Sequence, residues 1–296
     1  MAGAIGDDVA TMPELPEVTA LARSLDTQLR GAVIAGMSMR SVAALKTFDP
    51  PPAALGGLRV VGCARFGKFV DLQCAGLDLV VHMARAGWMR LRDQPREARA
   101  TLRGPLVMVV SFEDGRTLEV TEQGTEKRLA VYIVRSVAEV PGIARLGPDA
   151  LDAGLTPQRF AELLQAQPGT IKSVLADQAV VAGIGNAYSD EILHAARLSP
   201  FRKATSLDDA EVRTLYATMR GTLVDAVEQA ASAEPSTLKA AKRLRLRIHG
   251  RTGEPCPVCG DAIRQVSFAK RSFQYCATCQ TGGRVYADRR LSRLLR

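Results

Sequence analysis

Val18, Leu21, Leu25 and Leu29 are apolar positions three and four apart, the spacing of one helix face, and Gly31 follows as a stop signal. Pro13 and Pro16 suit the first turn of that helix, where a missing N–H costs little. Glu14 and Glu17 then fall at its positive end. Across residues 32–140 the texture changes. Short Val, Leu and Ile runs at 60–61, 69–72, 77–81, 106–112, 117–120 and 130–134 are broken by Gly, Pro and Asp. Such runs predict strands, and Glu113-Asp114-Gly115-Arg116 has the composition of a hairpin turn. The whole predicts a β-sandwich of two sheets. Pro141, Gly142, Gly147 and Pro148 mark residues 141–152 as a linker. Helical spacing returns over 157–166, 170–178, 186–196 and 207–231, with Ser206-Leu207-Asp208-Asp209 supplying a cap and an acidic first turn. The fold class is α+β.

Composition adds a partner. The 296 residues suffice for two domains with cores of their own, and 47% hydrophobic content is ordinary for a globular chain. The net charge of +8 is uneven: residues 239–296 hold fourteen Lys/Arg against three Asp/Glu, which leaves the remainder at −3. A polyanion engaged by the C-terminal end fits this asymmetry, and nucleic acid is the leading candidate. The longest apolar runs are too short to cross a bilayer, and residues 1–11 lack the basic start and apolar run of a secretory signal. The expected location is the cytoplasm, on the nucleoid.

Three motifs carry chemistry. Cys256-Pro-Val-Cys259 and Cys276-Ala-Thr-Cys279 are two chelating pairs that together close a thiolate tetrahedron. Four thiolates leave no open position, so the ion is structural, and zinc suits the donor set. Two disulfides are the alternative, but they need an oxidising compartment that nothing in the sequence supports. Residues 263–268 and 272–275 can form a hairpin between the pairs. Second, Gly183-Ile184-Gly185-Asn186 lies between two helical stretches. Alone it is a helix connection; beside a basic finger it becomes a phosphate site built from N–H groups at a helix start, with Lys172 in reach. Third, Met12-Pro13-Glu14-Leu15-Pro16-Glu17 matters if translation starts at Met12. Removal of that methionine leaves Pro13 with a secondary amine able to form an iminium, and Glu14 beside it as acid or base. Within a longer chain the same nitrogen is an inert amide.

Together these pieces resemble the formamidopyrimidine-DNA glycosylase/endonuclease VIII family from Met12 to about Gln280. The carriers are Met12 to Glu17, Gly67-Lys68, His82 to Gly87, the 183–186 turn with Asp190-Glu191, and Gly250 to Cys256 with the cysteine hairpin. The resemblance implies a base-excision repair glycosylase and abasic-site lyase acting on double-stranded DNA as a monomer. It implies an N-terminal catalytic β-sandwich domain at 12–140, a linker at 141–152, a helix–two-turn–helix domain at 153–246, and a zinc finger with a basic tail at 247–296. Residues 1–11 are expected to be a mis-called start or a removed extension. Pro13 would attack C1′, Glu14 would protonate the sugar ring oxygen, and Glu17 would support the site. Lys68 would move protons in β-elimination, and Arg271 would serve a second elimination and bind phosphate. Lys172 and Asn186 match phosphate-contacting positions.

Three departures bear on substrate choice. Arg85 stands where the family usually has methionine. Lys127 and Arg128 keep a basic pair, but Leu129 replaces an aromatic wedge; Trp88 is nearby, with core packing its simpler reading. Residues 237–250 are short and basic where the enzymes specific for 8-oxoguanine carry a longer loop, and residues 239–247 suit a phosphate-tracking strand. The substrate is therefore an oxidised base or an abasic site, with no preference legible. A non-catalytic damaged-DNA-binding protein of the same fold is the alternative, because residues 1–11 would block the Pro13 amine.

Overall fold

The computed structural model describes residues 12–94, 105–233, 237–268 and 271–288. The expectations for residues 1–11 and for the end of the basic tail lie outside them. Helix α1, Leu15–Leu29, buries Val18, Leu21, Leu25 and Leu29 as its spacing predicts. Gly31 ends it at φ +87°, a backbone region that glycine enters without strain.

The strands are β1 (Ile34–Met39), β2 (Val60–Phe66), β3 (Phe69–Cys74), β4 (Leu77–His82), β5 (Gly87–Arg92), β6 (Leu106–Phe112), β7 (Thr117–Glu122) and β8 (Ala130–Val134). They form two antiparallel four-stranded sheets, ordered β1-β6-β7-β5 and β2-β3-β4-β8. Leu72, Leu79, Val81, Val110, Leu118 and Val131 meet in the core between them. The hairpin at 113–116 is present, with Gly115 at φ +89°. Leu129 is buried in this core and Trp88 packs against it, so neither side chain is free to act as a wedge.

The second core belongs to α2 (Pro157–Gln165), α3 (Ile171–Leu175), α4 (Asn186–Ala195) and α5 (Asp209–Ala231). Asp208 caps α5, accepting the Glu211 N–H at 2.8 Å. The linker is stitched to this core. Gly147 N–H donates to Gln178 O, and Pro148 and Ala150 exchange bonds with Ala182. Helix α1 packs on β2 on one side and α5 on the other, so it bridges the lobes.

Residues 239–247 are not a strand. Leu238–Arg245 form a further helix, α6, with Leu238 and Lys242 turned inward. Thereafter β9 (Ile263–Phe268) and β10 (Arg271–Cys276) make the expected hairpin, and α7 (Ala277–Thr281) closes the cysteine module.

Candidate active site

Glu14 is the cap residue of α1, and its side chain crosses to the second lobe. Its carboxylate accepts N–H bonds from Gly185 at 2.6 Å, Ala187 at 2.9 Å and Tyr188 at 3.3 Å, the open amides at the start of α4. The two glycines exist for this crossing. A β-carbon on Gly185 would sit 2.4 Å from Glu14 Cδ, and one on Gly183 would sit 2.6 Å from Leu15 Cδ1. So the amides read as a phosphate cradle already hold a carboxylate. Burial pushes the Glu14 pKa up, but Lys242, Lys68 and the Ala187 N–H outweigh it, and the net shift is downward. Glu14 is therefore an anion at neutral pH.

Pro13 is buried one residue before it. Glu17 accepts the Glu14 N–H at 3.0 Å and the Tyr188 hydroxyl at 2.8 Å. Lys242 reaches in from α6, 2.9 Å from Glu17 Oε2, 2.9 Å from Met12 O and 3.8 Å from Glu14 Oε1. Its ammonium also lies over the Tyr188 ring, 4.8 Å from the centroid. Lys68 stands at the β2–β3 turn that Gly67 makes at φ +54°. It is 8% exposed, and its pKa falls to about 8. Burial is the main cause; the cations Lys242 and Arg271 lower it further, against Glu14 and Glu17. A buried amine with a pKa near the working pH can take a proton as well as give one.

Helix α4 ties this centre to the finger. Asp190 pairs with Lys172 and with His249 Nδ1 at 2.8 Å, and accepts the Gln274 N–H of β10 at 3.2 Å. Lys172 is 0% exposed and donates also to Ser272 O. Its charge is consumed inside the fold, so the phosphate contact expected of it does not fit its setting. Glu191 accepts the N–H groups of Arg247, Ile248 and His249 at 2.9 to 3.0 Å. His194 Nε2 lies 3.2 Å from Cys256 Sγ. Asn186 donates to Ser272 Oγ at 3.0 Å, while its Oδ1 is buried without a protein partner.

The four cysteine sulfurs lie within 4.8 Å of one another, with Cys259–Cys276 at 3.4 Å and Cys256–Cys279 at 3.9 Å. A tetrahedron with metal–sulfur bonds of about 2.3 Å has edges of about 3.8 Å, so the cluster fits one metal ion. Arg85, Lys127, Arg128 and Arg271 are exposed. Arg85 follows Ala84, which takes φ +50° in the turn before β5. Arg128 pairs with exposed Glu126 at 3.2 Å, while the Lys127 ammonium donates to Glu122 O. Sequence reasoning missed Lys242, Tyr188 and His249. Lys242 lies in the run whose composition suits a phosphate-tracking strand; its one signal is an unusual density of lysine and arginine in a helix-compatible stretch.

Carboxylates beside a proline nitrogen, a buried lysine of lowered pKa, a helical second lobe and a four-thiolate finger are together the parts of a bifunctional DNA glycosylase. The family model described as the formamidopyrimidine-DNA glycosylase N-terminal domain matches residues 12–129. The glycosylase H2TH domain matches 146–236, and the zinc finger found in FPG and IleRS matches 253–282. The chain is 34% identical over 280 residues to the formamidopyrimidine-DNA glycosylase of Thermus thermophilus, covering 92% of this chain and 100% of that one. It is 54% identical over 160 residues to an uncharacterized formamidopyrimidine-DNA glycosylase-like protein of Mycobacterium tuberculosis, covering 54% of this chain and all of the other. In structure it is similar to the Lactococcus lactis enzyme non-covalently bound to abasic-site DNA, with TM-score 0.78, 26% identity, and 90% and 99% of the two chains covered. The Thermus thermophilus crystal structure gives TM-score 0.77 at 32% identity, covering 90% and 98%. The chain belongs to the formamidopyrimidine-DNA glycosylase family, whose members are base-excision repair glycosylases and abasic-site lyases.

Proposed function

We propose that this chain excises oxidised bases from double-stranded DNA and nicks the resulting abasic site through a Schiff base on Pro13, in a working form that lacks residues 1–12. The observation that carries this is Glu14: an ionised carboxylate fixed by three backbone N–H groups beside the proline nitrogen. The N-terminal family match also begins at Met12.

A base inside a duplex is out of reach, so the nucleotide turns out toward the cleft. The neutral Pro13 amine attacks C1′ as the glycosidic bond breaks, and the base leaves with the bonding pair and takes a proton from water. The new ammonium is acidic, and the Glu14 carboxylate takes its proton. Glu14 then passes that proton to the sugar ring oxygen as the ring opens and the iminium forms. It therefore acts as a relay rather than as a resident acid, which its ionised state requires. Lys68 in its neutral form removes the C2′ proton, the 3′ phosphate departs, and water hydrolyses the iminium to restore Pro13. Arg85, Lys127, Arg128 and Arg271 present charge to phosphates and the opened duplex. Asn186 offers a buried oxygen at the same helix start. Cys256, Cys259, Cys276 and Cys279 would hold a zinc ion, which would fix β9 and β10 and so hold Arg271 in place as a structural support. Among the described residues no helix is long and apolar enough to cross a membrane.

If residues 1–12 are retained, Pro13 is an amide and the same fold binds damaged DNA without chemistry. Duplexes carrying 8-oxoguanine, a formamidopyrimidine, an oxidised pyrimidine or an abasic site separate the two. The chain starting at Pro13 should nick at least one base lesion and the abasic site. A chain that binds them and leaves all four intact would refute the catalytic reading.

A further inference from the structure

Lys242 is the least expected member of the site. It comes from α6, more than two hundred residues along the chain from Glu17, yet it is 1% exposed and touches Met12 O, Glu17 and Glu14. A carbonyl oxygen and the amide nitrogen on the same carbon are about 2.2 Å apart. With Met12 O at 2.9 Å, the Lys242 ammonium therefore stands within about 5 Å of Pro13 N. Once the chain starts at Pro13 that carbonyl is gone, and the proline amine is left within about 5 Å of the ammonium.

We propose that Lys242 is a positioning residue that acts on the Pro13 amine through its charge: standing beside the nucleophile and paired with Glu17, it keeps that amine in its unprotonated form by like-charge repulsion. The inference rests on Pro13 being the working terminus. A terminal amine has a pKa near about 8 in water and would be mostly protonated, hence inert, at neutral pH. Two adjacent carboxylates would make this worse, because opposite charge stabilises the protonated form. A resident cation reverses the balance. The groups facing the amine are Glu14 and Glu17 from α1, Lys68 from the β2–β3 turn, Tyr188 from α4 and Lys242 from α6, with His249 and Arg271 acting at longer range. Of the cations, Lys242 alone touches both carboxylates among the described residues. At 5 Å and an effective dielectric near 20, one cation disfavours a second by about two pH units, partly offset by the carboxylates.

The test is the pH profile of borohydride trapping on abasic-site duplex, using protein expressed from Met12 so that Pro13 is exposed. Lys242→Met should move the acidic limb to higher pH by about one unit or more. It should slow trapping about tenfold at pH 7 and leave the rate near that of the unaltered protein at pH 9.5. Lys242→Arg, which keeps the charge and tests folding, should hold the original profile. A Lys242→Met profile that superimposes on the original, or falls equally at every pH, would overturn the proposal. So would a shifted profile in the charge-preserving Lys242→Arg protein. If the unaltered Pro13-start protein traps nothing, the Schiff-base reading fails and this inference falls with it, which is a different outcome from trapping with an unmoved profile.

Discussion

Gly185→Ala tests the placement of Glu14 with a single methyl group. Gly185 has φ −122° and ψ −158°, extended backbone that alanine adopts freely, so the effect comes from the added carbon alone. That carbon would stand 2.4 Å from Glu14 Cδ and 2.6 and 2.7 Å from its oxygens. Ordinary contact needs roughly 3.4 Å, so the carboxylate must retreat by about 1 Å. The 2.6 Å bond from Gly185 N is lost first, and those from Ala187 and Tyr188 lengthen. Hydrogen bonds to a charged group contribute about 1.5–3 kcal/mol each, so losing one and weakening others should cost about 2–4 kcal/mol of stability. A displacement of this size at a proton relay should slow the chemical step about a hundredfold. Single-turnover trapping of abasic-site duplex measures the rate, a thermal melt the stability, and duplex affinity should change less than threefold because the exposed cations are untouched. Gly221→Ala is the control: nothing lies within 4 Å of its would-be β-carbon in the exposed face of α5. It should leave the rate alone and stabilise the fold by about 0.5–1 kcal/mol. A Gly185→Ala rate within threefold of the original would refute the claim that the α4 amides position Glu14.

Three further outcomes follow from the geometry. Lys172→Met takes from buried Asp190 its lysine partner, leaving His249 and the Gln274 N–H, and should destabilise by about 3 kcal/mol, with the salt dependence of DNA binding unchanged; a slope reduced by about one at normal stability would instead place Lys172 on a phosphate. Because Lys68 is depressed to about 8, elimination from the unreduced Schiff-base intermediate should climb as pH rises through 8. Lys68→Ala should abolish that limb, and a limb near the ordinary lysine value would contradict the buried-base assignment. Metal analysis should find one zinc per chain; a strong chelator should remove it, melt the β9–β10 hairpin and weaken DNA binding, and a chain that loses zinc without loss of affinity would separate the finger from the DNA surface.

Much of this architecture was legible because it is local. Six of the eight sandwich strands announced themselves as apolar runs. The missed β1, Ile34–Met39, is interrupted by Gly36 and Ser38, and β5, Gly87–Arg92, opens on glycine and turns Arg90 outward. Cysteine spacing identified the finger because a chelating pair needs no distant partner. The site was legible only in part. Lys242 and Lys172 are buried lysines whose meaning lies in Glu17 and Asp190, and no periodicity reports such a pairing. Hence the sequence of α6 reads as a phosphate-tracking strand: its inward face joins a single leucine, Leu238, to a charged side chain, Lys242, and shows no apolar periodicity. The 183–186 turn was identified as a set of open amides, but the occupant, Glu14, arrives from the other lobe.

The central claim is that the nitrogen of Pro13 makes the bond. Protein expressed from Met12, trapped with borohydride on abasic-site duplex, digested and analysed by mass spectrometry, tests it directly. The account predicts a sugar remnant on the peptide that begins at Pro13, and no adduct from protein that keeps residues 1–12. An adduct on Lys68 or Lys242, or equal trapping by the extended chain, would contradict it.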